Sequence, residues 1–414
     1  MLGSQILIKT LVKAGVKKIF SLSGNQIMSI YDSCIDEKIE IIHTRHEAAA
    51  VSMAEAWSQL TKQIGVVLVT AAQGYTNALG PLFSVQSSDT PILLISGDSS
   101  IEQDGKGAFQ ELDQISIASK LTKLSIRVKN IIDLEEILRQ AIRTAISQKP
   151  GPVHIAIPEN ILDDKIKNKT TINAVNFEKH KPKLKKNDID FIYKEMMDSL
   201  NPLIILGPSL SDTRTDGLSD ITSKCLNVPS IVMESPRGIN DPSLGKLKKI
   251  FKECDKIFCF SKSIDFTLKF GDPKIFVKNC KWILISSESQ EYKRAKINLK
   301  NQPLKFVLSD PLETLKALFE LKKQNKNKIK DSAWVKKVRK TSKLRPKILN
   351  KDNQITSSEL CFIVQNFIKI NTPSIVISDG GEFGQWAQSL TNSSKRIING
   401  PSGAIGSSLP YAIS

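Results

Sequence analysis

Two series of short apolar runs, each alternating with helical segments, predict an α/β protein built on doubly wound parallel sheets. The first series places apolar runs at residues 18–22, 39–43, 64–70, 92–96 and 153–157, the second at 202–208, 228–233, 256–260 and 282–286. Runs such as Ile64-Gly65-Val66-Val67-Leu68-Val69 are apolar at successive positions, which fits strands buried on both faces. Strand alternating with helix argues for parallel pairing under helices on either side. With 414 residues, the chain exceeds one ordinary core and fits two or three domains.

Residues 1–15 read as an amphipathic helix with Leu2, Ile6, Leu7, Leu11 and Val12, and lack an apolar block with a cleavage site. They read as the native start of a cytosolic protein. After the run at 39–43 comes Thr44-Arg45-His46-Glu47, opening an alanine-rich helix. Two readings of Glu47 stand side by side. Thr44 and Glu47 have the spacing of a capping box, in which each side chain bonds the other residue's backbone N–H. Alternatively, a carboxylate held where water is scarce keeps its proton to higher pH and serves as a proton relay.

The run at 64–70 leads into Ala71-Ala72-Gln73-Gly74-Tyr75-Thr76-Asn77, a glycine-bearing turn opening a helix, and the run at 92–96 is followed by Gly107-Ala108-Phe109-Gln110-Glu111. A polar, lysine-rich link spans 163–190, where Lys181-Pro182-Lys183 breaks any helix. The second series shows no G-x-G-x-x-G, and its loop Ser235-Pro236-Arg237-Gly238 offers Arg237 either to an anion or to solvent. Residues 321–352 are basic and poor in large apolar side chains, as in a linker. A helix is predicted over 357–370, a strand over 374–378 and a turn into a helix over 379–386. Gly400-Pro401-Ser402-Gly403-Ala404-Ile405-Gly406 follows, and residues 409–414 read as a helix cut before its cap.

Composition narrows the function classes. A hydrophobic content of 40% and a charged content of 24% are those of a soluble globular protein. No apolar run is long enough to span a membrane. Six cysteines without a C-x-x-C pair and four histidines give no metal-ligand spacing, so no metal site is assigned and the thiols are expected reduced and mainly buried. The formal charge of +17 comes from lysines spread along the chain among Asn and Ile, with no recognition motif, which argues against specific nucleic-acid binding.

Four blocks then fall in a telling order: Gly15-Val16-Lys17-Lys18-Ile19-Phe20-Ser21-Leu22-Ser23-Gly24, Arg45-His46-Glu47, Thr70 to Asn77, and Ala108-Phe109-Gln110-Glu111. In order and spacing they resemble the pyrimidine-binding domain of thiamine diphosphate enzymes of the acetolactate synthase type. Ala72-Gln73-Gly74 departs from that family's G-P-G, and Ser23-Gly24-Asn25 from its P-G-G; both departures bear on the substrate side.

The resemblance implies three Rossmann-like domains: pyrimidine-binding at 1–165, a central six-stranded domain at 185–325, and the start of a diphosphate-binding domain at 350–414. The third is expected incomplete, because the family's G-D-G metal motif with its later Asn would lie beyond Ser414; a truncated, inactive chain is expected. The implied activity is decarboxylation of a 2-oxo acid with carboligation. A 2-hydroxyacyl-coenzyme A lyase or oxalyl-coenzyme A decarboxylase is the alternative within the family, and a non-catalytic nucleotide-binding scaffold the alternative outside it. The implied cofactors are thiamine diphosphate and Mg2+; FAD in the central domain is unsupported. Glu47 would bond the aminopyrimidine and Gln110 would face the substrate, with Gly24, Asn25, Gly74 and Asn77 bordering the pyrimidine. Gly381, Glu382 and Phe383 would lie beside the diphosphate, Ile405 would hold the cofactor bent, and the Gly403 carbonyl would accept from its exocyclic amine. A homodimer or tetramer is implied, its interface including residues 48–60 and 385–390, and a regulatory subunit is left open.

Overall fold

The computed structural model describes residues 1–167, 171–172, 177, 179–325, 332–345 and 354–414. Its contacts divide it into two compact units, Met1–His180 with Leu409–Ser414, and Lys181–Ser408.

The first unit holds strands β1 (Lys18–Ser21), β2 (Glu40–His43), β3 (Gly65–Val69), β4 (Ile92–Asp98), β5 (Ser125–Arg127) and β6 (Pro152–Pro158). They form one sheet in the order β2-β1-β3-β4-β6-β5, with every neighbouring pair parallel. Along β3, Val66 and Leu68 enter a core with Ile6, Leu7 and Leu11 of the Gly3–Lys13 helix and Leu138 and Ile142 of the Leu134–Ile146 helix. Val67 and Val69 enter the opposite core, with Ala50 and Ala54 of the Glu47–Thr61 helix and Leu82 of the Gln73–Ser87 helix. Alternate side chains therefore feed two apolar layers, which is why the strand reads as an unbroken apolar run.

The second unit holds β7 (Pro202–Leu206), β8 (Ser230–Val232), β9 (Lys256–Phe260), β10 (Lys281–Ser286) and β11 (Leu304–Leu308), in the parallel order β11-β10-β9-β7-β8. Among the described residues this sheet has five strands, where six were expected. β12 (Ile375–Ser378) and β13 (Lys395–Ile398) form a separate parallel pair in the same unit, beside the Ser357–Ile370 and Gly381–Leu390 helices.

The link predicted at 321–352 is corrected in part. The Pro311–Gln324 helix runs into it, and Ala333–Ser342 is a further helix whose Trp334, Val335 and Val338 are buried. Trp334 Nε1 donates to the Pro202 carbonyl at 2.8 Å, tying this helix to the start of β7. Residues 326–331 and 346–353, like 168–170, 173–176 and 178 of the predicted link at 163–190, lie outside the described residues.

All six cysteines are free thiols, five of them buried. No described helix is long and apolar enough to cross a membrane.

Candidate functional site

In the first sheet β1 leads to β2 on one side, and the chain returns to add β3 on the other. The gap between the carboxyl ends of β1 and β3 is therefore the topological switch point, where open α/β sheets receive ligands. The segments that follow β1, β2, β3 and β4 carry Gly24, Glu47, Gly74 and Gln110 respectively, Glu47 and Gly74 in the first turns of their helices.

Glu47 is the first residue of its helix, and its N-cap is His46, whose Nδ1 accepts from the Ala48 N–H at 3.1 Å. Thr44 does not cap the helix. Its N–H and hydroxyl both bond the Ser21 carbonyl, at 2.8 and 3.2 Å, fixing the exit of β2 to the end of β1. The capping-box reading of Thr44 and Glu47 is thus corrected, and the Glu47 carboxylate is turned to another use.

That carboxylate is 6% exposed and its Oε2 accepts from Asn77 Nδ2 at 3.0 Å. A Cβ on Gly74 would lie 2.8 Å from Thr70 Cγ2 and 3.2 Å from Glu47 Oε1, and one on Gly24 would lie 2.4 Å from Thr70 Cβ. Both glycines approach Thr70, and Gly74 also Glu47, too closely for any side chain to fit between. Asn77 sits one helical turn after Gln73, so the pair Glu47–Asn77 joins the N-terminal ends of two helices across the switch point.

Asn25 is exposed; the next residue, Gln26, turns inward and is 5% exposed. Its Oε1 accepts from the Thr70 hydroxyl, and its Nε2 donates to Gln110 Oε1 at 2.9 Å. A Cβ on Gly97 would lie 2.7 Å from Gln26 Cβ, so Gly97 leaves the room Gln26 occupies. Sequence reasoning missed Gln26. No motif marks it, although its place beside the altered Ser23-Gly24-Asn25 block was a signal.

Gln110 lies in the loop after β4 with φ of 61°, a left-handed backbone rare for a side chain of its size. Glu111 holds that loop, its carboxylate accepting from the N–H groups of Gly105 (2.6 Å), Gly107 (2.9 Å) and Ala108 (3.1 Å). The Gly105 and Ala108 N–H groups keep the Glu111 carboxyl below the ordinary carboxylate range. Arg127 pins the same loop, with Nε on Asp98 at 2.6 Å and its two terminal nitrogens on Asp104 at 2.6 and 2.8 Å.

The other predicted residues lie in the second unit, gathered around Asp379. Asp379 Oδ1 accepts from the Gly380 N–H at 2.7 Å, and its Oδ2 accepts from the Gly406 N–H and the Ser408 hydroxyl, both at 2.9 Å. One carboxylate thus brings the turn at 379–381 against the loop at 400–408, so that a Cβ on Gly380 would lie 2.8 Å from Ile405 Cγ1. Gly381 (φ 82°) and Gly403 (φ 71°) have left-handed backbones that favour glycine. Glu382, Phe383 and Ile405 are exposed, and Arg237 donates to the Gly381 carbonyl at 2.9 Å. Among the described residues no group of three or more His, Cys, Asp or Glu is placed to hold a metal ion.

Residues 1–117 match the family described as thiamine pyrophosphate enzyme, N-terminal TPP binding domain. The chain is 35% identical to the acetolactate synthase isozyme 3 large subunit of Escherichia coli over 162 residues, which cover 39% of this chain and 28% of that protein. It is 25% identical to the acetolactate synthase large subunit of Lactococcus lactis over 430 aligned positions, covering 99% of this chain and 73% of that protein. It is 36% identical to 2-hydroxyacyl-CoA lyase 2 of Danio rerio over 160 residues, 39% of this chain and 26% of the lyase. The matched segments thus span less than a third of the Escherichia coli and Danio rerio proteins.

Proposed function

From a chain that carries the N-terminal domain of thiamine pyrophosphate enzymes and is a homologue of acetolactate synthase large subunits, we propose a thiamine diphosphate-dependent carboligase. It would decarboxylate a 2-oxo acid and join the remainder to a second carbonyl compound. The observation that carries this reading is the Glu47 carboxylate, buried at the switch point with its helix capped by another residue and its Oε1 packed beside Gly74.

The residues fit an aminopyrimidine. Gly24 and Gly74 let the backbone pack directly against Thr70 beside Glu47, and Glu47 offers an acceptor to a ring N–H. Bound thiamine diphosphate supplies the carbon nucleophile and the electron sink that decarboxylation needs. Glu47 contributes proton control: its carboxylate accepts and returns a proton at the ring nitrogen, while the Asn77 amide holds Oε2 in place. Gln110 faces the substrate side. Gly381, Glu382 and Phe383 are proposed for the diphosphate, Ile405, held near Gly380 by the Asp379 turn, for the bend of the cofactor, and the Gly403 carbonyl for its exocyclic amine; Asn25 is proposed with Gly24 at the pyrimidine. Mg2+ would accompany the diphosphate, and no ligand for it is assigned.

The family's arrangement supports a homodimer, each site shared between subunits, with the three-domain division at 1–165, 185–325 and 350–414. The lyase alternative has comparable support in the first unit alone, at 36% against 35% identity. Assays with pyruvate and with a 2-hydroxyacyl-coenzyme A separate the two.

Glu47→Gln tests the central claim. An amide keeps the acceptor for Asn77, so stability should change by no more than about 1 kcal/mol. Turnover of the chain supplied with thiamine diphosphate and Mg2+ should fall roughly 10²- to 10⁴-fold. Exchange of the cofactor C2 proton for deuterium, read by NMR after acid quench, should slow in parallel. Exchange at the parental rate with a lowered Tm would show that Glu47 is structural.

A further inference from the structure

Gln26 lies in the same cleft, and nothing in the proposed chemistry assigns it a role. Its carboxamide is buried between Thr70 and Gln110, and each of its ends meets a different partner. The Thr70 hydroxyl donates to Gln26 Oε1, and Gln26 Nε2 donates to Gln110 Oε1. The donors therefore run in one direction, from Thr70 through Gln26 to Gln110. Because Gln110 spends its carbonyl on Gln26, its own NH2 group is the end of the chain, with no hydrogen-bond partner among the described residues. Hydrogen bonds in series polarise one another, so that terminal N–H is a better donor than an isolated amide.

We propose that Gln26 is a positioning residue that fixes the direction of the Gln110 carboxamide, so that Gln110 presents a donor to a carboxylate or carbonyl oxygen of the substrate. A lone glutamine side chain can turn either end towards a ligand, since its terminal torsion is broad and its two ends are nearly equal in size. Gln26, accepting from Thr70 and donating to Gln110, holds Gln110 in one of those two orientations. The backbone contributes as well, because the left-handed Gln110 and the Glu111 clamp hold the loop so that only the amide torsion is left to set. Gly97 has no Cβ where Gln26 passes, so Gln26 sits in space built for it. That the acceptor belongs to a 2-oxo acid rests on the function proposed above; the direction of the amide does not.

Neutron diffraction from a deuterated crystal of the full chain reads the direction without any turnover. The expected result is deuterium on Gln26 Nε2 facing Gln110 Oε1, and the Thr70 deuteron facing Gln26. The reverse, Gln110 Nε2 facing Gln26 Oε1, overturns the proposal. Kinetics with pyruvate, thiamine diphosphate and Mg2+ give the second reading. Gln26→Glu offers only acceptors, so it should turn the Gln110 carbonyl to the cleft and raise KM about tenfold or more, the penalty of a site whose polar group faces the wrong way, with kcat little changed. Gln26→Leu, which leaves the Gln110 amide to rotate, should raise KM less. Equal losses in both variants with a shared fall in Tm would show that Gln26 is mere packing. If the parent does not turn over pyruvate, the neutron result alone decides the role of Gln26.

Discussion

His154 shows how one side chain can set the acid limit of the first unit. It is wholly buried in β6, its Nε2 and Nδ1 each 2.9 Å from a serine hydroxyl, those of Ser96 and Ser125, and its ring lies 4.9 Å from that of Tyr75. Both serines can adapt to a neutral imidazole by donating to one nitrogen and accepting from the other. Burial pushes the His154 pKa down to about 3. The folded chain therefore refuses a proton that the unfolded chain accepts below its ordinary value of 6.5. This contribution to stability is complete above that value. It is lost as pH falls towards the folded pKa, at roughly 1.4 kcal/mol for each pH unit in between. Urea unfolding at several pH values from 7 to 4.5 should show His154→Gln losing stability less steeply than the parent, by about one proton. Equal slopes would mean that the imidazole is already charged in the folded chain.

At the scale of elements, the turn before the Gln73–Ser87 helix carries a cost. Ala72 has φ of 43° and ψ of −87°, a conformation suited to glycine, and the related pattern has glycine there followed by proline. Gln73 is the first helical residue, where proline's fixed φ would fit. Strain of about 1–3 kcal/mol at such a residue outweighs the roughly 0.4–1 kcal/mol that glycine's freedom in the unfolded chain costs. Ala72→Gly should therefore stabilise the chain by about 1 kcal/mol, seen as a raised midpoint in urea; a lowered midpoint would show that the turn relaxes around alanine. The interior strands were legible because burial on both faces writes an apolar run. β5 and β11 were not, because neither writes an apolar run: Ser125–Arg127 has one apolar side chain, and Leu304–Leu308 is interrupted by Lys305 and exposes Leu308. The Ala333–Ser342 helix was read as linker since three apolar side chains suffice for its one buried face. Glu47 and Gly74 could be found from their blocks. Gln26 and Asp379 could not, because their roles depend on hydrogen bonds between loops far apart in sequence.

For the whole molecule, net charge and an apolar stripe pull association in opposite directions. The Ser357–Ile370 helix buries Ser358, Cys361 and Ile368, while Leu360, Ile363, Val364 and Phe367 stand exposed at the spacing of one helical face. Ile363 is 57% and Phe367 67% exposed. A contiguous apolar face of this kind favours self-association. The formal charge of +17 opposes it, but that repulsion reaches only about 8 Å at physiological ionic strength. Repulsion should therefore prevail at low salt and the stripe at high salt. Sedimentation at tens of micromolar should show mass rising as salt is raised from roughly 0.01 to 0.5 M, a range over which the screening length falls several-fold. Ile363→Glu with Phe367→Glu should abolish that rise, since both sites are already in water and a charge there costs little in the monomer. A monomer at every salt concentration, or association unchanged in the double variant, would mean that the exposed face of this helix does not drive assembly.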